Sequence, residues 1–183
     1  MSRINMVDPE RAEGKQKELL DAVQKKLGMT PNLVRVFANS PAVLEGYLGL
    51  TQSLSGGALD AKVSEQIALT VAEANGCEYC LAAHSTVGKM LGLNRDEILD
   101  ARRGTSSDSR VDAALRFAQS VVEKRGWVSD QDLDTVRSAG YGDDEITEIV
   151  AHVVLNIFRN YFNHIALTPI DFPKADPLTT SVK

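Results

Sequence analysis

The sequence predicts an all-α fold with no significant sheet, and two observations support this class. Apolar residues recur at the three- and four-residue spacing of helices, whereas the alternation typical of strands is absent. Helix start signals also recur, because three capping side chains each precede a proline suited to the first helical turn. These pairs are Asp8-Pro9, Thr30-Pro31 and Ser40-Pro41. The length of 183 residues suits one domain with a buried core.

The three start signals predict an N-terminal helical layer over residues 1–57. Its first helix should end at Gly28, since a glycine readily adopts the left-handed conformation that closes many helices. The predicted helices run from about Pro9 to Leu27, from Pro31 to Ala38 and from Pro41 to about Leu54.

The next segment, residues 58–104, holds the only two cysteines of the chain. Asp60 is placed to cap its first helix, Asn75-Gly76 to stop that helix, and Asn94 to cap a short helix near the end of the segment. The predicted helices cover 61–74, 77 to 90 or 91, and 95–102.

Residues 105–167 should form the C-terminal helices, and residues 168–183 an extended tail that contains three prolines. A strong apolar stripe marks the first of these helices, and acidic residues mark the first turn of the last, where the helix dipole favours them. The predicted helices cover about 108–124, 130–139 and 143–166.

Composition restricts the partners that the protein can have. The net charge is −5 and the basic residues are dispersed, which argues against a nucleic-acid partner. No apolar run approaches the length of a membrane span, and the first residues lack the apolar core of a secretory signal, so we expect a cytoplasmic protein with no membrane partner. No Gly-rich phosphate loop or other cofactor fingerprint is present, and we expect no cofactor.

The most informative feature is a pair of cysteines followed by a histidine. Cys77, Cys80 and His84 share one face of the predicted helix, and in a reducing compartment such a pair indicates metal binding or redox catalysis. The positive helix end favours a thiolate at Cys77, whereas His84, one turn beyond Cys80, favours Cys80. The spacing alone therefore leaves the attacking thiol open. It does supply a second thiol that can condense with a sulfenic acid to form a disulfide.

A Cys-x-x-Cys pair of the thioredoxin kind requires a βαβ context, which this sequence lacks. The chain instead carries a glutamate twelve residues before the dithiol, on the preceding predicted helix. The order and spacing of these residues resemble the alkyl hydroperoxidase D (AhpD)-like group of the carboxymuconolactone decarboxylase superfamily. The residues that carry the resemblance are Glu65, Cys77, Cys80 and His84. In addition, Glu73-Ala74-Asn75 and the stretch 160–164 resemble the peroxidase-related subgroup.

The resemblance implies an AhpD-like helical bundle that assembles as a homo-oligomer and acts as an alkylhydroperoxidase-like peroxidase. Cys80 would be the peroxidatic thiol, Cys77 the resolving thiol, and His84 with Glu65 the proton relay. The substrate would be a small-molecule hydroperoxide, and an external dithiol or disulfide-reducing protein would reduce the resulting disulfide. Tyr79 stands where the best-known members have a further histidine; a phenol cannot shuttle protons as an imidazole does, but it can orient a water or the substrate.

Several other interpretations compete with this one. A zinc site would use both thiolates and His84, with His152 or His164 as the fourth ligand, but structural zinc sites usually take two separated ligand pairs and we expect no metal. The dithiol could instead be a non-catalytic thiol switch, or the protein a lactone decarboxylase-like enzyme that does not use its cysteines. Glu73 is a second candidate for the site, with capping or surface exposure as the alternative. His152 and His164 are expected in the core or at a subunit interface.

Overall fold

The structure is a computed structural model that describes residues 2–178, and within that range the chain forms nine α-helices and no strand. This confirms the predicted all-α class. The helices are α1 (Gly14–Leu27), α2 (Asn32–Phe37), α3 (Pro41–Leu54), α4 (Ala61–Ala74), α5 (Glu78–Met90), α6 (Arg95–Arg102), α7 (Ser109–Glu123), α8 (Asp130–Ser138) and α9 (Asp143–Ala166).

Helix α4 lies at the centre of the bundle, where it packs against α5, α6, α7 and α9. Asp60 caps its N-terminus by accepting a hydrogen bond from the Lys62 amide at 2.8 Å. Ile67, Leu69 and Val71 of this helix are fully buried, so its apolar residues cover more than one face. A helix buried in this way fixes the positions of the helices around it, including α5 with the two cysteines.

A second core lies between the N-terminal helices, α5 and the C-terminal half of α9. Phe37 of α2 is at its centre, with its ring 4.9 Å from Tyr47, 4.9 Å from Phe162 and 5.3 Å from Phe158. Aromatic rings at these separations pack favourably in tilted and edge-on arrangements. Both cysteines belong to this core, so the N-terminal layer covers the dithiol.

The start of the first helix differs from the prediction. Asp8 and Pro9 begin only one turn, in which the Asp8 carbonyl accepts from the Arg11 amide and the Asp8 carboxylate from the Glu10 amide. The chain is then extended at Glu13, and α1 begins at Gly14. Asp8 and Pro9 therefore form a turn but do not begin the helix, which starts five residues after Pro9.

Residues 168–178 contain no helix and cross the outer face of α5 and α2. Phe172 packs edge-on against Tyr79, with ring centroids 5.8 Å apart, and Asp171 accepts a hydrogen bond from the Asn32 amide at 2.7 Å. The extended tail predicted from the prolines therefore lies on the protein surface over this part; its last residues, 179–183, fall outside the described range. Among the described helices, none has both the length and the apolar character needed to cross a membrane.

Candidate active site: a buried dithiol

Gly76 sets the direction in which the chain enters the cysteine helix. Its φ is +64°, in the left-handed region where glycine is not penalised, and it closes α4. In the same turn the Cys77 amide donates to the Ala72 carbonyl at 2.9 Å, in the pattern of a Schellman motif. This tight connection brings Cys77 to the start of α5 immediately after α4 has ended.

Cys77 is the N-cap of α5, and its sulfur accepts a hydrogen bond from the Cys80 amide at 3.4 Å. The predicted helix thus begins one residue later, at Glu78, and Cys80 lies in its first turn. Both side chains are free thiols and almost fully buried, with 1% of Cys77 and 2% of Cys80 exposed. Oxidation at this site consequently requires a small reagent or a local opening.

The surroundings of Cys80 favour its thiolate. The pKa of Cys80 is lowered below the usual value for cysteine, first by a hydrogen bond from the Cys77 thiol. The positive charge of His84 and the amides of Asn160 and Asn163 also lower this pKa, whereas burial raises it. Asn163 Nδ2 donates to the Cys80 sulfur at 3.3 Å. These donors outweigh the cost of desolvating the charge.

Cys77 behaves in the opposite way. Its pKa is raised, first because its thiol proton is held in the hydrogen bond to Cys80 and second because it is buried. The two pKa shifts are opposite, so Cys77 is the thiol that keeps its proton when Cys80 ionises. The sequence left open which thiol is activated, and this geometry favours Cys80 as the thiolate.

The acid–base pair predicted from the sequence is assembled. His84 Nδ1 lies 2.6 Å from Glu65 Oε1, between α5 and α4, and each side chain is 13% exposed. A carboxylate at this distance orients the imidazole. The charge of His84 also acts on the Cys80 thiol one turn away, so the pair lies within reach of the dithiol.

Asn160 is held in place from α4. Its Oδ1 accepts from Asn75 Nδ2 at 2.8 Å, and its own Nδ2 is buried with no hydrogen-bond partner within normal limits. Although no formed bond joins it to the sulfur, this amide still lowers the pKa of Cys80, because its positive end lies nearby. A thiolate at Cys80 would give this unpartnered donor an acceptor.

Asn160 and Asn163 were not singled out as site residues from the sequence, although the stretch that contains them carried part of the family resemblance. A signal was present. Asn156, Asn160 and Asn163 recur at helical spacing on an apolar helix, and all three are buried. Buried amides that recur on one helix face need partners, and they indicate a polar site within the core.

Tyr79 is buried, and burial is the main reason why its pKa is raised. Its hydroxyl accepts a hydrogen bond from the Leu33 amide at 3.2 Å, at the N-terminus of α2. The expected cap of this helix, Thr30, instead bonds to Gln24, so Tyr79 and Asp171 of the tail satisfy the first amides of α2. Tyr79 therefore links the cysteine helix to the N-terminal layer.

We expect Tyr79→Phe to lower the free energy of unfolding by about 1–2 kcal/mol, because the buried Leu33 amide would lose its acceptor. Chemical denaturation would measure this loss. Tyr141→Phe is the matched control, since the buried Tyr141 hydroxyl has no hydrogen-bond partner within the described residues, and it should not lower stability by more than about 0.5 kcal/mol. A loss of activity in Tyr79→Phe at unchanged stability would instead favour the role in orienting water or substrate that the sequence suggested.

Glu73 forms an ion pair with Arg102, with Oε2 and Nε 2.7 Å apart. Arg102 is almost fully buried, and its guanidinium also donates to the Asp176 carbonyl of the tail. Glu73 thus positions the Arg102 guanidinium, whose hydrogen bond to Asp176 holds the tail against the bundle. This contact was not predicted, because Arg102 and Asp176 are distant in sequence.

The two remaining histidines occupy different environments. His152 is buried on α9, and its Nε2 has no hydrogen-bond partner within the described structure. His164 is exposed on the last turn of α9, so the core placement considered from the sequence does not apply to it. Within residues 2–178, no three His, Cys, Asp or Glu side chains are grouped as a metal site requires.

Comparisons with known proteins agree with this architecture. Residues 41–124, which contain both cysteines, Glu65 and His84, match the carboxymuconolactone decarboxylase family. A peroxidase-related protein from Ralstonia eutropha JMP134, described as an alkylhydroperoxidase AhpD core, is 20% identical with a TM-score of 0.83, over 93% of this chain and 92% of that one. No curated protein matches the sequence significantly.

Two further solved structures have the same fold. A peroxidase-related protein from Silicibacter sp. TM1040 is 23% identical with a TM-score of 0.79, over 91% of this chain and 89% of that one. The debrominase Bmp8, in a C82A variant bound to 2,3,4-tribromopyrrole, is 19% identical with a TM-score of 0.80, over 93% and 92% of the two chains. The fold is therefore shared by proteins with different described activities.

The matched segment and the fold both agree with the resemblance recognised from the sequence. Residues 41–124 match the carboxymuconolactone decarboxylase family, and the chain has the helical fold of solved AhpD-like proteins.

Proposed function

We propose that this protein is a thiol-dependent hydroperoxide reductase in which Cys80 attacks the peroxide. The observation that carries the proposal is the environment of Cys80, whose thiolate is favoured by Cys77, His84 and two asparagine amides. A lowered pKa increases the fraction of thiolate, which is the nucleophilic form, at neutral pH. The paired Glu65 and His84 lie at the same site.

The first step would break the O–O bond of the hydroperoxide. The Cys80 thiolate attacks the terminal oxygen, so sulfur is oxidised to the sulfenic acid and the alkoxide leaves. The alkoxide takes a proton from His84, which Glu65 orients, and it departs as the alcohol. The peroxide is thereby reduced by two electrons.

The second step would use Cys77, the thiol that retains its proton. Its sulfur attacks the sulfenic sulfur of Cys80, the disulfide forms, and water leaves. An external dithiol then reduces this disulfide by thiol–disulfide exchange and is itself oxidised. A surface pocket bordered by Cys77, Asn163 and Ile170 gives a direction from which the dithiol could approach.

Steady-state consumption of cumene hydroperoxide with excess dihydrolipoamide tests the proposal. Sustained turnover is expected from the wild type. Consumption of about one equivalent per chain would favour a non-catalytic thiol switch, for which the near-complete burial of both sulfurs is the supporting observation. A lactone decarboxylase-like enzyme would show no peroxide turnover, and its own activity would survive replacement of both cysteines.

We also propose that the protein is a homo-oligomer. Val150, Val154, Tyr161 and Ile165 form an apolar stripe at helical spacing on α9, and between 37% and 61% of each side chain is exposed. A second copy of the chain would remove this surface from water. Size-exclusion chromatography with light scattering at micromolar concentration should show an assembly, and a monomer would contradict the proposal.

A further inference from the structure

A pocket of about 200 Å³ opens between α3, α4 and α9. The charged residues in its wall are Glu65 and Arg159. Its walls are mainly apolar, with Leu54, Leu59 and Leu155 among them. An apolar cavity of about 150 Å³ holds a benzene molecule, so this pocket has room for one ring or a short aliphatic chain together with a polar group.

Arg159 provides a positive charge at this pocket. Its guanidinium donates to Asn156 Oδ1 at 3.1 Å and lies close to Thr51 Oγ1 at 3.4 Å, and its Nε is buried without a partner. None of the ion pairs found within residues 2–178 includes Arg159. A guanidinium without a carboxylate partner is suited to bind an acidic ligand, which it can contact through two parallel hydrogen bonds.

His152 adds a second unsatisfied group to the same pocket. It is about nine-tenths buried, and its Nε2 has no hydrogen-bond partner in the described structure. Burial and the charge of Arg159 lower its pKa, although Glu148 and Glu65 act in the opposite direction, and the lowered pKa favours the neutral imidazole. A buried ring nitrogen of this kind can donate to a ligand oxygen in one of its tautomers.

Glu65 belongs both to the pocket and to the pair with His84. Its carboxylate would repel an acidic group, whereas Arg159 would attract one. These opposite charges give a bound molecule a preferred orientation, with its acidic group at Arg159 and its uncharged end at Glu65.

We infer that this pocket binds the substrate, and that the substrate is a small apolar hydroperoxide bearing a carboxylate. This inference rests on the proposed function. Arg159 and His152 bind the carboxylate, the leucines enclose the hydrocarbon part, and the hydroperoxide group lies toward Glu65, the member of the Glu65–His84 pair that lines the pocket.

Binding can be tested without turnover, in Cys80→Ser protein titrated with phenylacetate and with the neutral phenylacetamide by calorimetry. Arg159→Gln in this background should weaken phenylacetate binding about tenfold to hundredfold, the effect of a hydrogen-bonded charge, and leave phenylacetamide unaffected. Arg159→Lys keeps the charge and should weaken phenylacetate binding less than Arg159→Gln does. Arg116→Gln is the matched control, because that arginine is exposed and paired with Asp112 on α7. Absence of phenylacetate binding, or equal binding by Arg159→Gln in folded protein, would overturn the inference.

Kinetics separate the inference from the proposed function. Cumene hydroperoxide and its para-carboxy derivative differ only in the carboxylate. Arg159→Gln should raise KM for the carboxylated peroxide about tenfold or more relative to any change in KM for cumene hydroperoxide. Equal effects on the two peroxides would overturn the carboxylate site. If neither peroxide is turned over by the wild type, the peroxidase proposal fails, and the calorimetry alone decides whether the pocket binds carboxylates.

Discussion

Replacing Cys80 with Ser is expected to abolish sustained hydroperoxide consumption, with kcat lowered at least about a thousandfold. Removal of a covalent nucleophile eliminates the step that breaks the O–O bond, and a serine hydroxyl is not ionised near neutral pH. The measurement is the steady-state rate with cumene hydroperoxide and excess dihydrolipoamide. The variant should stay folded, because a hydroxyl is close in size to a thiol, and circular dichroism would verify this.

Cys77→Ser is the matched variant, since it removes the only other cysteine. It should still be oxidised at Cys80 by one equivalent of peroxide, and the sulfenic acid should persist because no thiol three residues away can condense with it. Trapping with dimedone and mass spectrometry would detect it. Persistence of the sulfenic acid in Cys80→Ser rather than in Cys77→Ser would reverse the two roles. Equal turnover by both variants and the wild type would show that the dithiol does not carry the reaction.

The second large effect concerns the ionisation of Cys80. Its folded-state pKa is lowered, first by the hydrogen bond from Cys77, so the thiolate is already present at pH values where an ordinary thiol is protonated. The rate of oxidation should therefore rise with pH only up to this lowered pKa and remain level above it. Loss of the Cys77 donor should move the rise to higher pH.

Cys77→Ala and Cys77→Ser make this test sharp, because each protein has a single thiol and neither can form the disulfide. Alanine removes the donor, whereas serine keeps an O–H that can donate. At pH values below the pKa, oxidation of Cys77→Ala by hydrogen peroxide should be about tenfold slower than oxidation of Cys77→Ser, since a hydrogen bond to a charged group contributes about 1.5–3 kcal/mol. Ultraviolet absorbance of the thiolate would give the two titration curves directly. Coincident curves would show that Cys77 does not stabilise the Cys80 thiolate.

Local signals predicted much of the helical framework. The bounds of α4, α6 and α9 agree with the prediction, because a cap such as Asp60 or Asn94 bonds to amides two or three residues away and the apolar spacing continues to the end of each helix. The prediction was less accurate where tertiary contacts compete with local ones. The start of α2 is satisfied by Tyr79 and Asp171 rather than by Thr30, and neither group is near it in sequence.

The same division applies to the candidate site. The Cys77, Cys80 and His84 arrangement follows from the spacing along one helix, and the glutamate at position 65 was indicated by the resemblance. The pocket with Arg159 and His152 had no sequence signal, because it arises where α3 and α9 approach α4.

The sequence by itself determined the helical class, the dithiol at the start of a helix and the histidine one turn beyond it, since all three depend on interactions within a few residues. It left two local effects in conflict, the helix end favouring Cys77 and His84 favouring Cys80. Only the tertiary structure decided between them. Asn163 reaches the Cys80 sulfur from 83 residues away and adds to the hydrogen bond from Cys77 that lowers the pKa of Cys80, whereas burial raises the pKa of both thiols. Hydrogen bonds and desolvation of this kind exist only once α9 has packed against α5.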